Sequence, residues 1–209
     1  MVKKIPQEQQ ANEAAYEGVL SLDAVKTLSL NAVHKYYGTQ LTLDDVQFEL
    51  MSVDKSKLRE LFKYPERKDA LDYILDPDNM TGSLFNATMT VKKHKEVYAL
   101  VLNDKDGDIL RISKSGDVPD GILTNDSYDR DKALEAANQF VEEIIKYPLS
   151  KLQLIPEYTQ WDQKIITIFY RSKEDNAIKY GVHLNFATYE MIGFSKDVMA
   201  LISYNSSGQ

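Results

Sequence analysis

Apolar positions set out the elements of this chain. Leu22, Val25, Leu28, Ala32, Val33 and Tyr36 recur at helical spacing and predict one amphipathic helix. Ser21 is placed to cap its start, and Gly38 to end it in the left-handed conformation that glycine tolerates. Val46 to Leu50 alternates apolar and polar, as a half-buried strand does. The segment from about Val53 to Met80 breaks the pattern. Leu58, Leu61 and Phe62 predict one short helix there, and Ala70, Leu71 and Ile74 another, with Pro65 between them. A strand over Leu84 to Val91 follows. Then a hairpin joins Glu96–Asn103 to Asp108–Ser113 through Asp104-Lys105-Asp106-Gly107. A second amphipathic helix spans about Asp129 to Tyr147, with Ala133, Ala137, Phe140, Val141 and Ile144 inward and Pro148 as its stop. Strands are predicted from Leu152, over Lys164 to Arg171, over Ile178 to Asn185, and at Met191 to Phe194.

The chain partly repeats itself. Tyr98-Ala99-Leu100-Val101-Leu102-Asn103 is echoed by Tyr180-Gly181-Val182-His183-Leu184-Asn185. In both copies four residues follow the Asn, then an acid and two apolar residues: Asp108-Ile109-Leu110 and Glu190-Met191-Ile192. A helix ending in Lys-Tyr precedes each copy, at Lys35-Tyr36 and Lys146-Tyr147. Tyr36 to Tyr98 is 62 residues and Tyr147 to Tyr180 is 33, a difference of 29. An insertion over Val53–Met80 is about that size. The expected organisation is therefore α+β: a first unit over 19–115 with a helical insertion at 53–80, and a second over 127–204. Ser115 to Ser127, rich in Gly, Pro, Asp, Ser and Asn, is the expected linker.

Composition narrows the class. The chain has 209 residues, 43% hydrophobic and 27% charged, which is globular. A formal charge of −7 argues against nucleic acid, since phosphate contacts need clustered Lys and Arg. The basic runs are short, as at Lys92-Lys93-His94-Lys95, and only a local patch could overcome repulsion from anionic headgroups. With no cysteine there is no disulfide, thiolate site or cysteine nucleophile. No apolar run is long enough to cross a bilayer. Met1-Val2-Lys3-Lys4 has no apolar stretch behind it, so it is not a signal. The expectation is a cytosolic protein, or an exported one whose export segment has been removed. Residues up to about Gly18 read as a polar lead-in or tether.

Candidate chemistry is thin. Asp104-Lys105-Asp106-Gly107-Asp108 shares carboxylates and a glycine with calcium loops. Leu102 and Ser113, however, fall where a calcium loop needs its first and twelfth ligands, so a hairpin turn is the expected reading. Asp76-Pro77-Asp78-Asn79 reads as a turn, and Asp44-Asp45 as a cap or solvated strand start. His34, His94 and His183 form no metal-binding pair by spacing. Ser83 follows Gly82 without the second glycine of a nucleophile elbow. No phosphate-binding or dinucleotide fingerprint is present, so no catalytic, cofactor or metal residue is assigned. Tyr158 and Trp161 are expected in a turn between two strands, where exposed aromatics anchor partners. Strand alternation is expected to turn Lys179, His183 and Asn185 outward and Ile178, Tyr180, Val182 and Leu184 toward the helix. Lys179, His183, Tyr158 and Trp161 are the resulting partner-binding candidates.

A helix followed by an antiparallel sheet whose last hairpin reads apolar-alternating, turn, Gly-acid-aliphatic resembles the PepSY family and its cystatin-like relatives. These include the tandem domains of Gram-positive envelope proteins such as the TseB-like cell-wall elongation regulators. Tyr98–Leu110 carries the resemblance, with Gly107-Asp108-Ile109-Leu110 in the Gly-acid-aliphatic position. Tyr180–Ile192 carries it in the second copy, where Tyr189 replaces the Gly. The resemblance implies two cystatin-like units, each a helix on a curled antiparallel sheet. It implies a non-catalytic, extracytoplasmic binding or regulatory module without cofactors, with a protein or peptide partner, meeting membrane only through a segment absent from this chain. The alternatives are a small-molecule- or peptide-binding enzyme of a cone-shaped α+β fold, and a cytosolic protein–protein adaptor.

Overall fold

The computed structural model describes residues 3–4, 20–62, 81–116, 129–162 and 165–206, without the side chains of 3–4, 59–62, 156–162 and 205. The chain is α+β and divides into two compact units, Met1–Gly116 and Asp117–Gln209. Each is taken in turn.

In the first unit, helix α1 runs Leu22–Tyr37. Ser21 caps it, its Oγ accepting the Ala24 N–H, and Gly38 ends it at φ +67 as expected. Val25, Ser29, Ala32 and Val33 form its buried face, which packs on two strands of an antiparallel sheet. That sheet is a meander of β2 (Val46–Asp54), β3 (Ser83–Val91), β4 (Val97–Asn103) and β5 (Ile109–Ser115). A two-residue strand, β1 (Lys3–Lys4), pairs with Met51 and Ser52 on the outer edge of β2. Tyr98, Leu100, Leu102 and Ile112 lie beneath α1, each no more than 2% exposed. The tyrosine that closes over Tyr98 is Tyr37, at 5.5 Å between ring centroids. Tyr36, the residue the repeat had pointed to, lies under the Lys35 ammonium.

Of the expected insertion, β2 claims the first residues, and Lys55–Phe62 forms a 3-10 helix with Leu58 buried. The second helix expected there, around Ala70–Ile74, lies outside the described residues, as does most of the expected linker.

The second unit repeats the order. Helix α2 (Arg130–Gln139) begins at the cap Asp129, whose Oδ1 accepts the Lys132 N–H. It continues as a π-helical turn over Phe140–Ile145 and stops at Lys146, in left-handed conformation at φ +61. A meander of β6 (Leu152–Asp162), β7 (Ile165–Ser172), β8 (Ile178–Asn185) and β9 (Met191–Lys196) follows. Phe140 of α2's extension meets Phe194, and Tyr147 meets Tyr180, both at 5.5 Å. The Tyr170 hydroxyl donates to Asn138 Oδ1. These contacts place the helix over the face carrying Tyr170, Tyr180 and Phe194.

Two expectations fail here. Strand β6 extends to Asp162, so Tyr158 and Trp161 lie in a strand, not a turn; their side chains are outside the described residues. The opposite face of this sheet is not left open. A third helix, α3 (Val198–Ser206), packs on β8 and β9. Its Tyr204 meets Phe169 edge-on at 5.2 Å. Val198, Met199, Ala200, Leu201 and Tyr204 are all buried. Strand alternation does hold, but the face away from α2 is paved by a helix that the spacing argument had not included.

Candidate functional site

The repeated hairpin is the best-defined local arrangement. Leu102 pairs with Ile109 after a register shift, and Leu184 pairs with Met191 after the same shift. The Asn103 N–H donates to Asp108 O at 3.0 Å, and the Asn185 N–H to Glu190 O at 2.8 Å. The Gly107 N–H donates to Asn103 O, and the Tyr189 N–H to Asn185 O. Each Asn side chain also folds over its own turn: Asn103 Oδ1 accepts from Lys105 N, and Asn185 Oδ1 from Ala187 N and Thr188 N. Gly107 sits at φ +71 and Tyr189 at φ +59, so the tyrosine occupies the left-handed position that the glycine occupies in the first copy. Both turns receive the start of their helix. Leu20 N donates to Asp104 O, and Asp129 N to the Tyr189 hydroxyl.

The acidic run Asp104–Asp108 is used in this turn. Asp104 is 4% exposed, and its Oδ2 accepts the Ser83 N–H at 2.6 Å. Asp106 Oδ1 accepts the Asp108 N–H. Asp45 caps its own turn, accepting from the backbone N–H and hydroxyl of Thr42, and these bonds hold its pKa below the usual carboxylate range. Asp76–Asn79 lies outside the described residues. Among the described residues, no group of three or more His, Asp or Glu is placed to hold a metal ion.

The structure brings Lys179 and His183 onto one strand and one face. It gives each a neighbour from its own unit. Lys179 pairs with Asp197, the two side chains being 31% and 39% exposed. Asp197 is in left-handed conformation at φ +51; its N–H donates to Lys179 O and its C=O accepts from Leu201 N. The pair therefore fixes the corner where β9 turns into α3. Burial pulls the Lys179 pKa down, but its hydrogen bond to Asp197 and the charges of Asp197 and its neighbours outweigh burial, leaving it raised. His183 is half-buried opposite Thr167, with Nδ1 2.9 Å from Thr167 Oγ1. Thr167 and Ser195, on the same face, are buried. His34 and His94 are exposed in the first unit.

Gly181 lies between Lys179 and His183. A Cβ there would stand 2.9 Å from both Phe169 Cε1 and Ser195 Oγ. A glycine inside a strand signals close approach of another group, and this one was the legible sign that the Gly181 face is packed. The five buried apolar residues of α3 were the other sign, in a segment that the reading had ended at Phe194.

The chain is thus defined as an α+β pair of helix-on-meander units. No protein-family model matches the sequence, and no curated protein matches it. Among solved structures, the C-terminal domain of Bacillus megaterium YpeB is similar at 15% identity and a TM-score of 0.48, over 85% of this chain. This chain spans 63% of that one. A copper-containing benzylamine oxidase from Hansenula polymorpha aligns at 12% identity and a TM-score of 0.24, over 81% of this chain and 28% of its own. Among the described residues, no helix is long and apolar enough to cross a membrane.

Proposed function

We propose that this chain is a tandem pair of PepSY-like, cystatin-like units that binds a protein or peptide without catalysis. It acts outside the cytoplasmic membrane, as the ectodomain of a membrane-anchored protein or lipoprotein of a Gram-positive envelope. The observation that carries this reading is the repeated hairpin, matched down to its backbone hydrogen bonds. What the copies share is a scaffold: Asn103 and Asn185 hold turns, and neither copy's shared polar groups are arranged around a reacting atom. The four-residue contact surface read from the sequence belongs to the same proposal. Lys179 and His183 lie on β8, and Tyr158 and Trp161 on β6. A partner at Lys179 meets the Lys179–Asp197 pair rather than a lone cation.

The test uses the full-length gene product in its own cells. A photo-crosslinking residue at Lys179, the half-exposed candidate at the rim of α3, or at Tyr158 should give one discrete adduct, and the same residue at Thr90 of the first unit should give none. Equal adducts from all three positions would remove the surface assignment. Digestion of the chain by protease added to intact cells tests the location. Turnover of ester, phosphoester or peptide probes by the purified chain, falling with His183→Ala, would contradict the non-catalytic reading.

A further inference from the structure

The proposed function leaves unused the most cationic stretch of an acidic chain. Lys92-Lys93-His94-Lys95 forms the turn between β3 and β4, and all four side chains are exposed. The base of the turn is fixed: the Lys92 N–H donates to Asp45 O at 2.9 Å, and its Nζ to Asp44 O at 2.8 Å. Of the acids at this end, Asp45 and Glu96 are already engaged, while the Asp44 side chain is exposed. Asp45 accepts from Thr42, and Glu96 from Lys114 at 2.8 Å. The C-terminal end of α1 lies at the same end, shown by Tyr37 packing on Tyr98, and adds the exposed Lys35. The matching turn of the second unit is different. Lys173 there donates to Ser150 O, and acids Glu174 and Asp175 follow, their N–H groups held by Ser172 Oγ. The cationic turn is therefore peculiar to one copy and is not demanded by the fold.

We propose that the Lys92–Lys95 turn is a contact point for an anionic lipid surface. A convex hairpin tip fits a plane rather than a groove-bound strand. Its charges are lysines, compact point charges without the planar fork that arginine uses for specific bidentate recognition. No Phe, Tyr or Trp stands in the turn, where His94 is the one ring that could stack a base, and the chain's charge of −7 repels a polyanion outside the turn. That same charge makes the tip the favoured side for approach, since the rest of the protein is pushed away from the headgroups. The inference does not depend on the proposed function.

Flotation of the intact chain with vesicles at low salt tests it. The chain should rise with equimolar phosphatidylcholine and phosphatidylglycerol and stay down with phosphatidylcholine alone. The double substitution Lys93→Glu with Lys95→Glu should lower the bound fraction by more than about tenfold, as each Lys near an anionic surface contributes roughly fivefold. Lys105→Glu with Lys151→Glu makes the same change in net charge at exposed positions elsewhere and should leave most binding intact. Equal loss in both variants, equal binding to both vesicle types, or no binding would overturn the proposal. So would displacement by inorganic phosphate at matched ionic strength, which would mean an ion site rather than a surface.

Discussion

The two units share one plan and differ in what they do with the second face of the sheet. Thr88, Ala99 and Ser113 form a row across β3, β4 and β5 in the first unit. The matching row in the second is Phe169, Gly181 and Ser195. In the first unit the row is of small side chains, two of them hydroxyls, Ala99 is exposed, and Gln47, Glu49, Thr90 and Arg111 around it are exposed as well. In the second, a phenylalanine replaces the threonine, a glycine makes room for its ring, and Tyr204 closes over it. An antiparallel sheet can leave one face to water. Phe169 and Gly181 in this row, with the apolar Val198, Met199, Ala200 and Leu201 and with Tyr204, make the second face a seat for a helix.

The largest test of this contrast removes the ring that closes the second unit. Tyr204→Ala should destabilise that unit by about 3–5 kcal/mol, as deletion of a buried aromatic does. Thr88→Ala, facing the open side of the first unit, should stay within about 0.5 kcal/mol. Urea unfolding followed by hydrogen exchange resolves the two.

The repeated turn comes next. Gly107→Ala places a Cβ 2.4 Å from Leu28 Cδ1 at a φ of +71. The left-handed conformation alone costs an alanine about 1–2 kcal/mol, and displacing Leu28 adds to it. Tyr189→Gly relieves the same strain in the other copy but loses the hydrogen bond to Asp129, so the two effects nearly cancel. A comparable loss in both variants would mean the turns are not equivalent.

Asparagine anchors should differ more modestly. Asn185 is 4% exposed and holds Ala187 N at 2.7 Å, whereas Asn103 is half-exposed and holds Lys105 N at 3.4 Å. Asn185→Ala should cost about 1–2 kcal/mol and Asn103→Ala less than about 1 kcal/mol, read from denaturation midpoints.

The smallest effect is the pH dependence carried by Glu96 in the first unit. A hydrogen bond from Lys114 holds the Glu96 carboxyl below its usual 4.5 despite some burial. The folded state therefore binds fewer protons than the unfolded one. Its stabilisation is complete above pH 4.5 and is lost as pH falls through the lowered folded value. Solvent screening keeps it below about 1 kcal/mol. Ile178 stands at the matching distance before Tyr180, so this pair is absent from the second unit, whose own lowered carboxyl is Asp175, hydrogen-bonded by Ser172. Glu96→Gln should flatten the acid limb of the first unit's stability curve.

Much of the fold was legible because it is local. Helical spacing, Ser21 and Gly38 fixed the ends of α1, and the six-residue echo located both hairpins in the correct strands. The tyrosine partner was misread by one position. Both helical stretches span the same length, but Tyr37 lies inside its cap and Tyr147 beyond Lys146, and only packing shows which ring reaches the sheet. The strand over Tyr158 and Trp161 was missed because Pro156 interrupts it, and proline in a strand is confined to edges and bulges. The register of β6 does shift between Ile155 and Gln160, and β6 is the edge strand of its meander. The candidate surface was less legible than the fold. Alternation assigns residues to two faces but does not say which face is wet; that depended on α3, a short helix that follows β9 directly and folds back over β8 and β9.

One measurement tests the shared plan and its divergence together. The chain has no cysteine, so a single thiol can be placed at will. Ser113 and Ser195 are matching positions, half-exposed and fully buried respectively, and Ser195 Oγ makes no hydrogen bond that the change would break. Labelling of Ser113→Cys should be fast. Labelling of Ser195→Cys should be slower by about a hundredfold or more, waiting on a local opening that costs roughly 3 kcal/mol. Equal labelling rates in the folded protein would show that α3 does not cover the second unit and would contradict the account.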